Sequence, residues 1–149
     1  MLITSMKIFK WALLVIVLIQ FIPFGHSHTN PANTKEPVWN SPKTRELIHR
    51  ACFDCHSNET LWPWYSNVAP VSWLLQRDVN EGRSHLNFTE WDRPQKHAKD
   101  VAEQVKEGEM PLWFYLPMHP AARLTDTEKQ ALISGAETSL GPQAGPEKH

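Results

Sequence analysis

Residues 51–57 read ACFDCHS, and in them Cys52, Cys55 and His56 form the pattern C-x-x-C-H. Two thiols three positions apart, followed at once by an imidazole, suit the covalent attachment of haem. The thiols add their S–H across the two vinyl groups, which lie on neighbouring edges of the ring. His56 then stands under the ring and donates an imidazole nitrogen to the iron. Other chemistries use only part of this set. A thioredoxin-type C-x-x-C asks for a βαβ context, which is absent here. A zinc site asks for two more ligands, and the chain has no further Cys. A disulfide between positions i and i+3 leaves His56 without a role. One covalently attached haem c is the expected cofactor.

An iron held by His56 needs a sixth neighbour. Met110 lies in Gly108-Glu109-Met110-Pro111, between the third and fourth expected helices. Class I cytochromes c carry their ligand methionine in a loop of this kind, ahead of the final helix. A thioether opposite an imidazole raises the reduction potential, which suits electron transfer in an oxidising space. Met110 is therefore the expected distal ligand. Met118, stiffened by Pro117 and Pro120, is an alternative, and so is His85. A methionine alone is more often core filler; the iron's need for a soft ligand is what singles these out. Arg77, Arg83 and Arg93 are candidates for pairing with haem propionates.

Helices must position these residues. Ser41-Pro42 reads as an N-cap followed by proline in the first turn. A helix over residues 43–51, with Leu47, Ile48 and Ala51 as its apolar stripe, delivers Cys52 at its end. A second helix fits residues 71–81, with Gly82 as its stop. A third fits residues 94–106, buried through Ala98, Val101, Ala102 and Val105 and ended by Gly108. A fourth starts at Thr125, where Thr-Asp-Thr-Glu makes a capping box with Glu128, and ends near Gly135 and Ala136. No β-alternation of useful length is present. The expected fold is all-α: a small cytochrome c-like helical domain around one haem, preceded by an N-terminal membrane helix.

That N-terminal segment begins with Lys7 and Lys10 and continues as an apolar stretch over residues 11–24, interrupted by Gln20. Positive charge ahead of an apolar core is an export or anchoring signal. Residues 1–25 are read as a signal or anchor, and 26–43 as a polar linker with three Pro. The haem domain is expected over 44–138, and a disordered tail over 139–149. By the positive-inside tendency, everything from residue 26 onward lies outside the cytoplasm. Haem c is attached there too, so the motif and the address agree.

Composition bounds the rest. The chain has 149 residues, enough for one modest domain, with 41% apolar and 21% charged residues. A formal net charge of −1, with no basic run and no Gly-rich phosphate loop, gives no reason to expect nucleic acid as a partner. Six of the 7 Trp lie after residue 38, so the soluble part must pack large aromatics around a core or a cofactor.

Residues 52–132 resemble the bacterial haem-binding domain family of small c-type cytochrome proteins. The likeness is carried by CFDCHSNET, WPWYSNVAPVSWLLQRDVNEGRSHLNFTEW, GEMP and YLPMHPAARLTDTEKQAL, and the leading IQFIPF looks like that family's anchor. Leu112 stands where many family sequences have a proline after the Met-Pro pair. The resemblance implies covalent haem at Cys52, Cys55 and His56, and it fixes neither redox partner nor reaction. The expected function is a mono-haem electron carrier, serving redox partner proteins and tethered to the outer, periplasmic face of the cytoplasmic membrane. A haem-based ligand sensor with an exchangeable sixth site is the alternative. A peroxidase-like enzyme would need a distal acid/base group, for which His85 is the one loose candidate; the chain is not expected to be an enzyme.

Overall fold

A computed structural model of the chain describes residues 2–141. The expected all-α fold forms: five α-helices and three 3-10 turns, with no strand among the described residues and one isolated bridge between Lys35 and Glu90. The helices are α1 (Leu2–Ile19), α2 (Pro42–His56), α3 (Val71–His85), α4 (Val101–Glu107) and α5 (Asp126–Leu140). Contacts divide the chain into two units. One takes the chain up to Thr29 with Leu61–Asp78; the other takes Asn30–Thr60 with the chain from Val79 onward.

The second unit holds the motif. Its α2 starts as the sequence predicts: Ser41 Oγ accepts from Thr44 N at 3.1 Å, and Pro42 occupies the first turn. The helix does not stop at residue 51 but continues through the motif to His56. Its buried face, Leu47, Ile48, Ala51 and Phe53, packs with Val101, Ala102 and Val105 of α4 and Leu132, Ile133, Ala136 and Leu140 of α5. Phe88, 1% exposed, lies in the middle of this core. Its ring stacks between Phe53 at 5.7 Å and Trp91 at 6.1 Å, both nearly parallel to it.

Two glycines read as helix stops are crossing points instead. Gly82 lies inside α3, and Gly135 lies inside α5, which runs on to Leu140. A Cβ on Gly135 would come within 2.2 Å of Thr44 Oγ1, so α5 crosses α2 where only glycine fits. The third helix is shorter than expected. Gln95, inside the expected helix, uses its side chain to accept from Asn87 N at 3.0 Å and to donate to Glu90 O at 2.7 Å. Residues 94–95 are therefore irregular, 96–97 form a turn, a 3-10 turn follows at Ala98–Asp100, and α4 begins only at Val101. Gly108 does end α4, with φ 79° and its N–H returned to the last turn. Thr125 and Glu128 form the expected capping box of α5.

Within the stretch read as a linker, residues 34–35 run alongside 89–91. Thr34 N donates to Thr89 O and Trp91 N donates to Lys35 O, both at 2.9 Å. Trp39 packs against the core. The tail expected from residue 139 starts in helix at Ser139 and Leu140, and its part beyond Gly141 lies outside the described residues.

In the first unit, α1 is apolar and exposed from Ile8 to Leu18, apart from Lys10. Among the described residues no helix is long and apolar enough to cross a membrane, which corrects the expectation of a membrane helix. The apolar part of α1 starts behind Lys7 and Lys10, and the helix ends at Ile19. Gln20, which interrupts the apolar run, ties the chain after α1 to a distant loop. Its side-chain amide donates to Ala69 O and accepts from Ala69 N, both at 3.0 Å. His28 stacks on Trp62 at 4.6 Å, and its Nε2 lies 3.0 Å from Ser66 O.

One consequence concerns acid stability. The Glu128 carboxyl is held down at about 2, first by the Thr125 backbone N–H and then by Arg50, whose guanidinium reaches it at 2.6 Å from α2. A carboxylate with a depressed pKa stabilises the fold above its ordinary value of 4.5. That contribution disappears as pH falls through about 2. Urea unfolding of wild type and Glu128→Gln should therefore differ near neutral pH and converge in acid. A difference that stays constant with pH would contradict this assignment.

Candidate functional site

Cys52, Cys55 and His56 occupy the last turn of α2, at spacings of three and four residues that place them on one helical face. The two sulfurs are not joined in a disulfide. Cys52 borders the core, and burial pushes its thiol up to about 12, with Cys55 beside it adding to the rise.

His56 is oriented by its backbone neighbours. Its Nδ1 lies 3.0 Å from Gly82 O and 3.1 Å from Leu86 O, at the end of α3. Both partners are carbonyl oxygens, which only accept, so Nδ1 carries the proton. Nε2 is then the nitrogen with a lone pair, and the opposite tautomer would leave buried acceptors facing a lone pair. Burial lowers the His56 pKa from its ordinary value; the two carbonyls offset part of that, and His85 adds to the lowering. A neutral imidazole, tied at Nδ1 and presenting Nε2, is the arrangement of an iron ligand.

Gly82 makes that arrangement possible. A Cβ at position 82 would lie 2.4 Å from the Cys55 carbonyl oxygen and 3.2 Å from Cys55 Cβ. Only glycine lets α3 approach the motif closely enough for its carbonyl to reach His56. On the far side, Phe88 N donates to His56 O at 2.8 Å. A buried polar network then fixes the loop after the motif. Asn58 N donates to Thr89 Oγ1, Asn87 Nδ2 donates to Asn58 Oδ1, and Thr89 N donates to Asn87 Oδ1, over 2.8–3.0 Å. None of these supports is read from the sequence. For Gly82 the one available signal is a glycine inside a helical pattern that shares a domain with the histidine motif.

The distal candidates are spread. Met110 is half-buried against the same core that Cys52 borders, and its N–H donates to Gln104 O at 3.2 Å, at the end of α4. Met118 is 58% exposed. His85 is exposed at the end of α3, with its ring 5.3 Å from that of His97. Arg83 and Arg93, considered for propionates, are used within the protein: Arg83 Nε donates to Ser57 O at 2.7 Å, and Arg93 pairs with Glu90 at 2.6 Å. Among the described residues no group of three His, Cys, Asp or Glu side chains could hold a metal ion. The two thiols on one face of α2 and the His56 imidazole held at Nδ1 are a donor set that fits a haem.

The sequence model of the haem-binding domain matches residues 14–138, most of the chain. No curated protein and no solved structure matches it.

Gly82→Ala tests the support of the site. The added methyl must displace α3 from the motif, so stability should fall by about 1–3 kcal/mol. The yield of haem-loaded protein, read as haem absorbance per chain, should fall with it. An alanine variant as stable and as fully loaded as wild type would show that the close approach is not needed.

Proposed function

This chain belongs to the haem-binding domain family, and on that premise we propose that it is a mono-haem electron carrier with haem c attached through Cys52 and Cys55. The observation that carries the reading is the fixed tautomer of His56, with Nδ1–H given to Gly82 and Leu86 and Nε2 left as the donor. When bound, haem supplies one-electron chemistry at its iron. Cys52 and Cys55 would hold the ring and His56 Nε2 would ligate the iron, while Phe53 and Phe88 pack in the core beside the motif. Met110 is the proposed distal ligand. It is the half-buried methionine of the loop after α4, whereas Met118 faces solvent.

The chain has one C-x-x-C-H motif, and we assign it no catalytic role. Its partners are other redox proteins, which exchange electrons at the haem edge. A tether to the outer face of the cytoplasmic membrane is part of the same proposal. Its support is the exposed apolar surface of α1 behind two lysines, a surface that is unfavourable in water.

Optical spectra of the oxidised and reduced holoprotein test this reading. Wild type should show the weak near-infrared band of methionine bound to ferric iron, and Met110→Ala should lose it while keeping the haem. Met118→Ala should retain the band. A wild type without the band, whose reduced form binds CO at once, would replace the carrier by a ligand-binding sensor with an open sixth site.

A further inference from the structure

Asp54 lies between the two cysteines, and its Oδ2 accepts a hydrogen bond from Tyr115 Oη at 2.5 Å. Tyr115 belongs to residues 110–119, the segment that starts at Met110 and ends at His119. This segment is a series of turns: Tyr115 N donates to Leu112 O at 3.0 Å, Met118 N to Tyr115 O and His119 N to Leu116 O, each at 3.3 Å. The His119 ring lies flat on the Tyr115 ring at 3.7 Å, and His119 Nδ1 donates to Tyr115 O at 3.0 Å. Tyr115 is thus held in place from one side by His119 and from the other by the motif helix.

No side chain of the segment is fully buried, and Pro111, Leu112 and Leu116 are half-buried. Trp113 is 80% exposed, and Phe114 and Met118 are exposed as well. At its start, Met110 is fixed by Gln104 O and by packing on the core. A segment without fully buried side chains opens at lower cost than the core, so a strong contact at its middle contributes to keeping it closed. A phenol donating to a carboxylate is such a contact, because the acceptor is charged.

We infer that Tyr115 and Asp54 are positioning residues whose hydrogen bond holds residues 110–119 against the haem-attachment turn and so sets how readily the sixth iron position opens to an outside ligand. The inference rests on the haem reading above. Asp54 sits on the same helical turn as both cysteines, so a restraint placed there acts at the attachment point itself. A clasp at this place keeps the distal ligand in register without touching the iron. Loosening it converts a closed carrier site toward an exchangeable one.

The test uses the full-length holoprotein. CO binding to the reduced form is followed by rapid mixing, with the opening of the distal segment limiting the rate. Tyr115→Phe should speed CO binding about 10- to 100-fold, the range set by one hydrogen bond to a charged group. Asp54→Asn, which keeps a carbonyl acceptor, should fall between wild type and Asp54→Ala. The double variant Tyr115→Phe/Asp54→Ala should be no faster than the faster single variant, since both remove one interaction. A merely structural bond would lower the melting temperature and leave the CO rate alone. That outcome, or any Tyr115→Phe rate within about twofold of wild type, overturns the inference. If haem is covalent and the rate is unchanged, only the clasp falls. If the purified chain carries no covalent haem, the haem reading falls and the clasp with it.

Discussion

A histidine presents one chosen ring nitrogen when its other ring nitrogen is held by a hydrogen bond. In this chain the holding is done by the hydrogen bonds from His56 Nδ1 to the carbonyls of Gly82 and Leu86. One neutral hydrogen bond contributes about 0.5–1.5 kcal/mol net, while an unmatched buried polar group costs about 1–3 kcal/mol. The second figure decides the orientation at Leu86 O, which would lose this donor on a ring flip or tautomer change, whereas Gly82 O still accepts from Leu86 N at 2.9 Å. Everything around the site supports that contact. Gly82 lets α3 approach, the network of Asn58, Asn87 and Thr89 fixes the loop that follows, and Phe88 places an aromatic wall beneath the motif.

The features legible in the sequence were local ones. Ser41-Pro42, the Thr125–Glu128 box and Gly108 each satisfy backbone groups within a few residues, so their neighbours in sequence reveal them. The three motif residues were legible for the same reason. What escaped depends on partners far away in the chain. Gly82 and Gly135 look like helix stops until Cys55 and Thr44 are seen pressed against them. Gln95 belongs to a helical pattern until its side chain is found bonded to residues 87 and 90. Asp54 and Tyr115 are 61 positions apart, and no spacing rule connects them.

Tryptophan content marked the chain as one that packs large rings, and the structure uses those rings in different ways. Trp39 and Trp91 belong to the core that supports α2, and Trp62 covers His28. Trp64 and Trp113 remain exposed, one in each unit. The aromatic column of Phe53, Phe88 and Trp91 forms the centre of the core on which α2 packs.

The central claim is that haem is bound covalently by this motif, and peptide mass analysis of the purified chain tests it most directly. After matured protein is digested under denaturing conditions, the peptide containing Cys52, Cys55 and His56 should carry the added mass of one haem. Changing both cysteines to alanine should remove that mass from the chain altogether. An unmodified motif peptide from protein made in a host competent for haem c attachment, or haem that leaves the chain on denaturation, would contradict the account.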